Sequence, residues 1–131
     1  MTSIYLQTHN STPLIKIKRV YDRPSKSDGY RILTDRLWPR GLKKEYALLD
    51  EWAKDLAPSD LLRNWFDHDP YYWIQFKRKY QAELKENILL PDFIDKHKNR
   101  KVITLLYATR YDKLTHAIII KEYLENIYCA I

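Results

Sequence analysis

Two glycines, one cysteine and one methionine among 131 residues are what the sequence most conspicuously does without. An average chain of this length would carry roughly nine glycines. With so few, no G-x-x-x-x-G-K-S or G-x-G-x-x-G loop exists, and the standard backbone grips on nucleotide phosphates are excluded. The lone Cys129 can form neither an intramolecular disulfide nor a paired-cysteine zinc site, and its place near the C-terminus reads as structural, not as a nucleophile. No run approaches the roughly 18 to 20 apolar residues that cross a bilayer; the longest, at 102–108 and 117–120, read as core elements. The opening "MTSIYLQTHNSTP" lacks the basic start and apolar stretch of a signal peptide, so the cytoplasm is the expected compartment and no membrane partner is expected.

What is present is a folded composition, 45% hydrophobic and 31% charged, long enough for one domain with its own core. A net charge of +6 favours anionic partners, and charge alone leaves small anions and nucleic acid both open. Residues 1–13 are polar, aperiodic and closed by Pro13, and read as an arm; the domain spans 14–131. "LIKIKRVY" alternates apolar and basic residues like a strand near a sheet edge, and "DRPSKSDG" reads as a loop. "YRILTDRLW" predicts a second strand ending near Asp35 and Arg36. "KEYALLDEWAKDLAPS" fits a helix or a short strand equally.

Ser59 is an N-cap for a helix in which Leu61, Leu62, Trp65 and Phe66 share one side. Asp69 and Pro70 open the next, where Trp73, Phe76, Tyr80 and Leu84 recur at helical steps, and "LLPDFIDKH" adds a short helix after Pro91. "KVITLLYA" has the continuous apolar character of a central parallel strand. "HAIIIKEYLENIY" closes the chain as a helix burying Ala117, Ile118, Ile120, Leu124 and Ile127. Strands separated by helices predict a single compact α/β domain with an open, mostly parallel sheet flanked by helices.

In such sheets ligands bind beyond the carboxyl ends of the strands. There stands "TDRLWPRG", residues 34–41. Arg36 and Arg40 suit a phosphate or carboxylate, since a guanidinium stays charged and donates two parallel hydrogen bonds. Pro39 stiffens their presentation, and Gly41 permits a positive φ. Asp35 reads either as a proton-transfer group or as the partner of Arg23, Arg36 or Arg40 in an ion-pair network, and Trp38 either as a ligand contact or as core. After the last strand come Arg110, Tyr111 and His116. His116 begins a helix, where the dipole lowers its pKa and fits it to act as a general base; a satisfied structural histidine is the other reading. Arg63 and Tyr111 are expected to close the pocket. "DHDP" places Asp67, His68 and Asp69 together, but consecutive residues rarely face one ion and the turn explains them, so no metal is expected. No cofactor is implied. Lys77, Arg78 and Lys79, beside Trp73, Phe76 and Tyr80, read as a solvated face, with a nucleic-acid surface as the alternative.

In chain order, "KRVYD", "GYRILTDRLWPRGLKKE", "WAKDLAPSDLLRNWFDHDP", "WIQFKRKYQAEL" and "TLLYATRYDKLTHAIIIKEYL" resemble the YeaO-like branch of the domain-of-unknown-function 488 (DUF488) family of bacterial proteins. The resemblance implies a compact α/β domain with "RILTDR" and "ITLLYA" among its strands and a strand-like piece before Ser59. Other branches place an aspartate, an arginine and a proline after a strand at the position of "TDRLWPR", which favours Asp35, Arg36 and Arg40 as site residues. They also carry cysteines around the last strand and a Cys-His-Arg triplet near His116; Tyr107 and Thr115 stand there in this chain, which counts against thiol chemistry. The resemblance implies a fold and no reaction. The expectation is a pocket of Asp35, Arg36, Arg40, Arg110 and His116, taking a small phosphorylated or carboxylated ligand, with Asp35 or His116 moving a proton if the protein is an enzyme. The alternative is a nucleic-acid-binding or regulatory module using the basic surface, and the oligomeric state is open.

Overall fold

A computed structural model describes residues 12–130, so of the arm expected over residues 1–13, residues 1–11 lie outside the described residues. Strands β1 (Leu14–Arg19), β2 (Tyr30–Leu33), β3 (Glu51–Trp52) and β4 (Val102–Tyr107) form one sheet in the order β1-β4-β2-β3, and every neighbouring pair is parallel. The described helices are α1 (Lys44–Ala47), α2 (Asp60–Phe66), α3 (Trp73–Glu86), α4 (Leu90–His97) and α5 (His116–Ala130), joined in places by 3₁₀ turns. This is the expected single α/β domain.

"VITLLY" becomes the central strand because its β-branched and leucine side chains can be buried on both faces. Ile103 and Leu105 enter a large core built with α2 to α5, while Leu106 points to a smaller core holding Val20, Leu33, Leu42 and Ala47. The smaller core is roofed by the segment after β2, with Trp38 and Leu49 packed on it. β1 takes the sheet edge its lysines imply: Lys16 Nζ donates to the Ser27 carbonyl at 2.6 Å and Lys18 pairs with Asp28. The loop before β2 is more structured than expected. Ser25 and Asp28 form a capping box, and buried Asp28 pairs with buried Arg31, whose remaining donors reach the Ala47 and Leu48 carbonyls at 2.7 and 3.0 Å. Gly29 is required there, since it has φ +63° and any Cβ would lie 2.4 Å from the Val102 carbonyl oxygen.

The segment that fitted helix and strand equally contains both. One helical turn, α1, stops at Leu48 in the left-handed region, and two residues of strand follow because β2 still offers a free edge. Ser59 caps α2, accepting from the Leu62 amide at 3.1 Å. Only Leu62 and Phe66 of α2 turn inward; Leu61 is 83% exposed and Trp65 is exposed as well, because a two-turn helix lays only one row of i, i+4 residues against the core. On α3, Phe76, Tyr80 and Leu84 are buried as expected, and the Tyr80 hydroxyl donates to the Leu56 carbonyl at 2.7 Å. α5 is rotated from its expected stripe: Ile119 and Tyr128 are buried with Ala117, Ile120 and Leu124, whereas Ile118 and Ile127 are half-buried. Cys129 is exposed and so does not serve the core. No described helix is long and apolar enough to cross a membrane.

Register decides where the site lies. Arg19 is opposite Tyr107 and Leu33 is opposite Leu106, so β1, β4 and β2 end nearly level. The residues that follow, Tyr21, Asp35 and Ala108, therefore emerge at one rim.

Candidate functional site

At that rim lies a cavity of about 310 Å³, within the size range of small-molecule sites. Asp35, Arg36 and Arg40 line it from the segment after β2, Arg63 and His68 from α2 and its end, and His116 from the start of α5. Phe66, Phe76 and Leu114 supply apolar wall.

The loop carrying the first three residues is held before any ligand arrives. The Trp52 indole donates to the Asp35 carbonyl at 2.7 Å, the Tyr21 hydroxyl donates to the Arg40 carbonyl at 2.6 Å, and the Trp38 indole donates to the Leu42 carbonyl at 2.8 Å. Trp38 also meets Trp52 edge-on, with ring centroids 5.4 Å apart. Pro39 is buried, and Gly41 turns the chain at φ +74° with open space around it, so its backbone conformation alone favours glycine. The segment thus has two jobs: its tryptophan roofs the smaller core, and its first turn faces the cavity.

The three arginines are held differently. Arg36 is pinned, with Nε donating to the Pro58 carbonyl at 3.1 Å and Nη2 to the Ala57 carbonyl at 3.0 Å. Arg40 is exposed and Arg63 pairs with Asp60 at 3.0 Å on the surface of α2. Among the described residues neither Arg36 nor Arg40 has a carboxylate partner. The ion-pair network weighed for Asp35 is absent among them; the buried arginine pair of this fold is Asp28 with Arg31.

Asp35 instead faces His116, with Oδ1 3.6 Å from Nε2, beyond hydrogen-bonding reach. His116 Nε2 lies 2.9 Å from the Thr34 carbonyl, which can only accept, so the ring carries its proton on Nε2 and its lone pair on Nδ1. Burial pushes the Asp35 carboxyl up from the ordinary range, and His116, the Ala108 amide and Arg63 only partly offset it. Burial likewise lowers His116, against the pull of Asp35. Asp35 Oδ1 is buried with no hydrogen-bond partner.

Arg110, Tyr111 and Trp38 are not part of the cavity wall. Arg110 is exposed with its guanidinium 5.5 Å from the Tyr111 ring centroid, and Tyr111 packs on His68 one layer outside. Trp38 sits on the smaller core. His68, not chosen from sequence as a ligand contact, reaches the wall because Asp67 and His68 both adopt positive φ, 46° and 55°, conformations for which Asp and His are enriched among non-glycine residues. Tyr21 also lines the cavity, and its position directly after β1 was the available signal. Among the described residues no group of three His, Cys, Asp or Glu could hold a metal ion. On the basic helix α3, Lys77 pairs with Glu122 at 3.4 Å and Lys79 lies over the Trp65 ring.

The chain is 39% identical over 113 residues to uncharacterized protein YeaO of Escherichia coli (strain K12), an alignment that covers 86% of this chain and 98% of that protein. It is 36% identical over 112 residues to uncharacterized protein Rv3073c of Mycobacterium tuberculosis (strain ATCC 25618 / H37Rv), covering 86% and 94%. No solved structure matches it. A family model described as the inactive DUF488-N3 subclade matches residues 14–130, and the chain belongs to that branch of the DUF488 family.

Proposed function

We propose that the protein binds a small oxyanion, a phosphate- or carboxylate-bearing molecule, in the cavity beyond β1, β2 and β4, and holds it without transforming it. The observation that carries this reading is the pair Arg36 and Arg40, two guanidiniums on the cavity wall with no carboxylate partner among the described residues. Arg36 is already oriented by two carbonyls, so its remaining N–H donors meet a ligand at little entropic cost. The start of α5, at Thr115 and His116, adds the positive end of a helix dipole. The apolar wall suits a ligand with a hydrocarbon portion.

Holding without transforming fits the side chains present. Cys129 is not at the cavity. The threonine hydroxyls nearby are engaged: Thr34 donates to the Leu106 carbonyl, Thr115 accepts from the Ala117 amide, and Thr109 accepts from the Tyr111 amide. Asp35 and His116 are assigned to shaping the ligand's surroundings, in keeping with the description of the subclade as inactive.

Calorimetric titration with inorganic phosphate and with short carboxylic acids tests the proposal. The wild-type protein is expected to bind, and Arg40→Gln and Arg63→Gln, both at exposed positions, to remain folded and bind about tenfold more weakly. Arg36→Ala is the less informative variant, because it orphans the Ala57 and Pro58 carbonyls and costs about 1–3 kcal/mol of stability. No binding of any such anion by the wild type would overturn the reading, and duplex binding with a steep salt dependence would replace it with the basic-surface alternative.

A further inference from the structure

The Asp35 carboxylate is an awkward neighbour for an anion. Its Oδ1 is buried with no hydrogen-bond partner among the described residues, and the Ala108 amide and the His116 ring are its polar neighbours. Its Oδ1 is turned inward against His116, and the side chain is 20% exposed, so its accessible part, on the Oδ2 side, belongs to the cavity. His116 cannot relieve it, since the Nε2 proton is committed to the Thr34 carbonyl. A cavity that needed only positive charge would gain nothing from a bare carboxylate beside its arginines.

A carboxylate with an acceptor left open does have a use, which is to choose among anions. A fully deprotonated oxyanion at this wall would face Asp35 with oxygen against oxygen and no proton between them. An oxyanion that brings a hydrogen-bond donor of its own would satisfy the carboxylate while its charge met Arg36 and Arg40. Specificity built on leaving a buried group unpaired for the wrong ligand is stronger than specificity built on size.

We infer that the cavity selects oxyanions carrying a hydrogen-bond donor, with Asp35 as the specificity-determining residue: hydrogen phosphate, or a carboxylic acid with a hydroxyl beside the carboxylate, in preference to anions of the same shape and charge that lack the proton. The inference rests on the oxyanion reading of the cavity and deepens it. The raised proton affinity of Asp35 has the same origin, a carboxylate taken from water that its neighbours, the Ala108 amide among them, only partly compensate.

Two pairs of probes, titrated calorimetrically at pH 8, test it. Phosphate at that pH is chiefly a dianion with one proton, and sulfate is a dianion of the same shape with none. Lactate differs from propionate by the hydroxyl beside the carboxylate, so the two pairs separate a phosphate-like from a hydroxy-acid-like ligand. The expected result is a preference of roughly 10- to 100-fold for the donor-bearing member of at least one pair. Asp35→Asn, whose amide can donate to sulfate or propionate, should erase the preference; Asp35→Ser serves the same purpose if the first variant does not fold. Equal affinity within each pair that binds, or a preference that survives in a folded Asp35 variant, overturns the inference and leaves the oxyanion site standing. Binding of none of the four anions overturns both.

Discussion

Among the described residues two histidines stand against carboxylates, and the two carboxylates are provisioned in opposite ways. Beside the start of β2, Glu51 Oε1 accepts from the Tyr30 hydroxyl at 3.2 Å and from Lys96 Nζ at 3.0 Å, with His97 Nε2 at 3.1 Å, off the line of a good hydrogen bond. Arg100 Nε donates to His97 Nδ1 at 2.8 Å, and its guanidinium lies 3.5 Å from the Tyr30 ring centroid. At the other pair, Asp35 and His116 stand 3.6 Å apart beside a cavity, and Oδ1 of the carboxylate has no hydrogen-bond partner among the described residues. Burial lowers both histidines, so titration alone does not tell the pairs apart. The carboxylates do: Glu51, which accepts from Tyr30 and Lys96, holds structure together, whereas Asp35 leaves an acceptor open beside a cavity and suits something that arrives later.

The sharpest way to break the comparison is to remove each carboxylate. Glu51→Ala strands the half-buried Tyr30 hydroxyl and frees Lys96, and is expected to cost about 1–3 kcal/mol in urea unfolding. The same measurement on Asp35→Asn should show no loss and a gain of up to about 1 kcal/mol, since a carboxylate that burial penalises is exchanged for a neutral group of the same shape. Equal losses at the two positions would mean that both pairs are structural.

Acid titration sharpens it next. Both histidines have folded pKa values below the unfolded value of about 6.5, so the unfolded chain takes up protons first. Their contribution is therefore present above about pH 6.5 and lost as pH falls from there through the folded values, by at most about 1.4 kcal/mol per pH unit for each ring. Asp35 has the opposite sign. Its raised pKa makes its contribution greatest below about pH 3.8, and that contribution fades as pH rises through the folded value. Unfolding free energy measured from pH 8 to pH 5 should thus fall in acid. Saturating phosphate should blunt the part due to His116, whose protonated form a bound anion favours, and leave the part due to His97 unchanged.

The legible features of this fold are those whose causes are local. The apolar run of β4, the helical steps of α3, and the caps at Ser59, Asp69 and Pro70 each depend on residues within a few positions of one another. Asp35, Arg36 and Arg40 were legible as cavity residues because a strand's end fixes where its next residues go. What escaped depends on distant partners. β3 is a strand through pairing with β2, not through a pattern of its own, and the ring of donors around Glu51 comes from β2 and α4. Asp28 looked like loop polarity until Arg31 and Lys18 closed on it. Arg110 and Tyr111 fell outside the wall because the path of the loop after β4 has no period to read.

The smallest expected effect bears on how the open pair is kept open. Trp52 → Phe keeps most of the packing against Trp38 and removes only the indole hydrogen bond to the Asp35 carbonyl. Trp52 is 37% exposed, so water can replace the lost donor and the change in stability should be only about 0.5–1 kcal/mol. Binding should suffer more than stability, because the backbone carrying Asp35 and Arg36 is then ordered only when the ligand arrives, and that ordering opposes affinity. A several-fold weaker phosphate isotherm with a nearly unchanged urea midpoint is the expected outcome. Trp65→Phe is the control, an exposed tryptophan on α2 whose indole N–H has no hydrogen-bond partner among the described residues, and it should change neither. If the Trp52 variant lost stability and binding in proportion, the loop would be part of the structural core in the same sense as the Glu51 cluster, and the contrast between the two pairs would narrow to the Asp35 side chain alone.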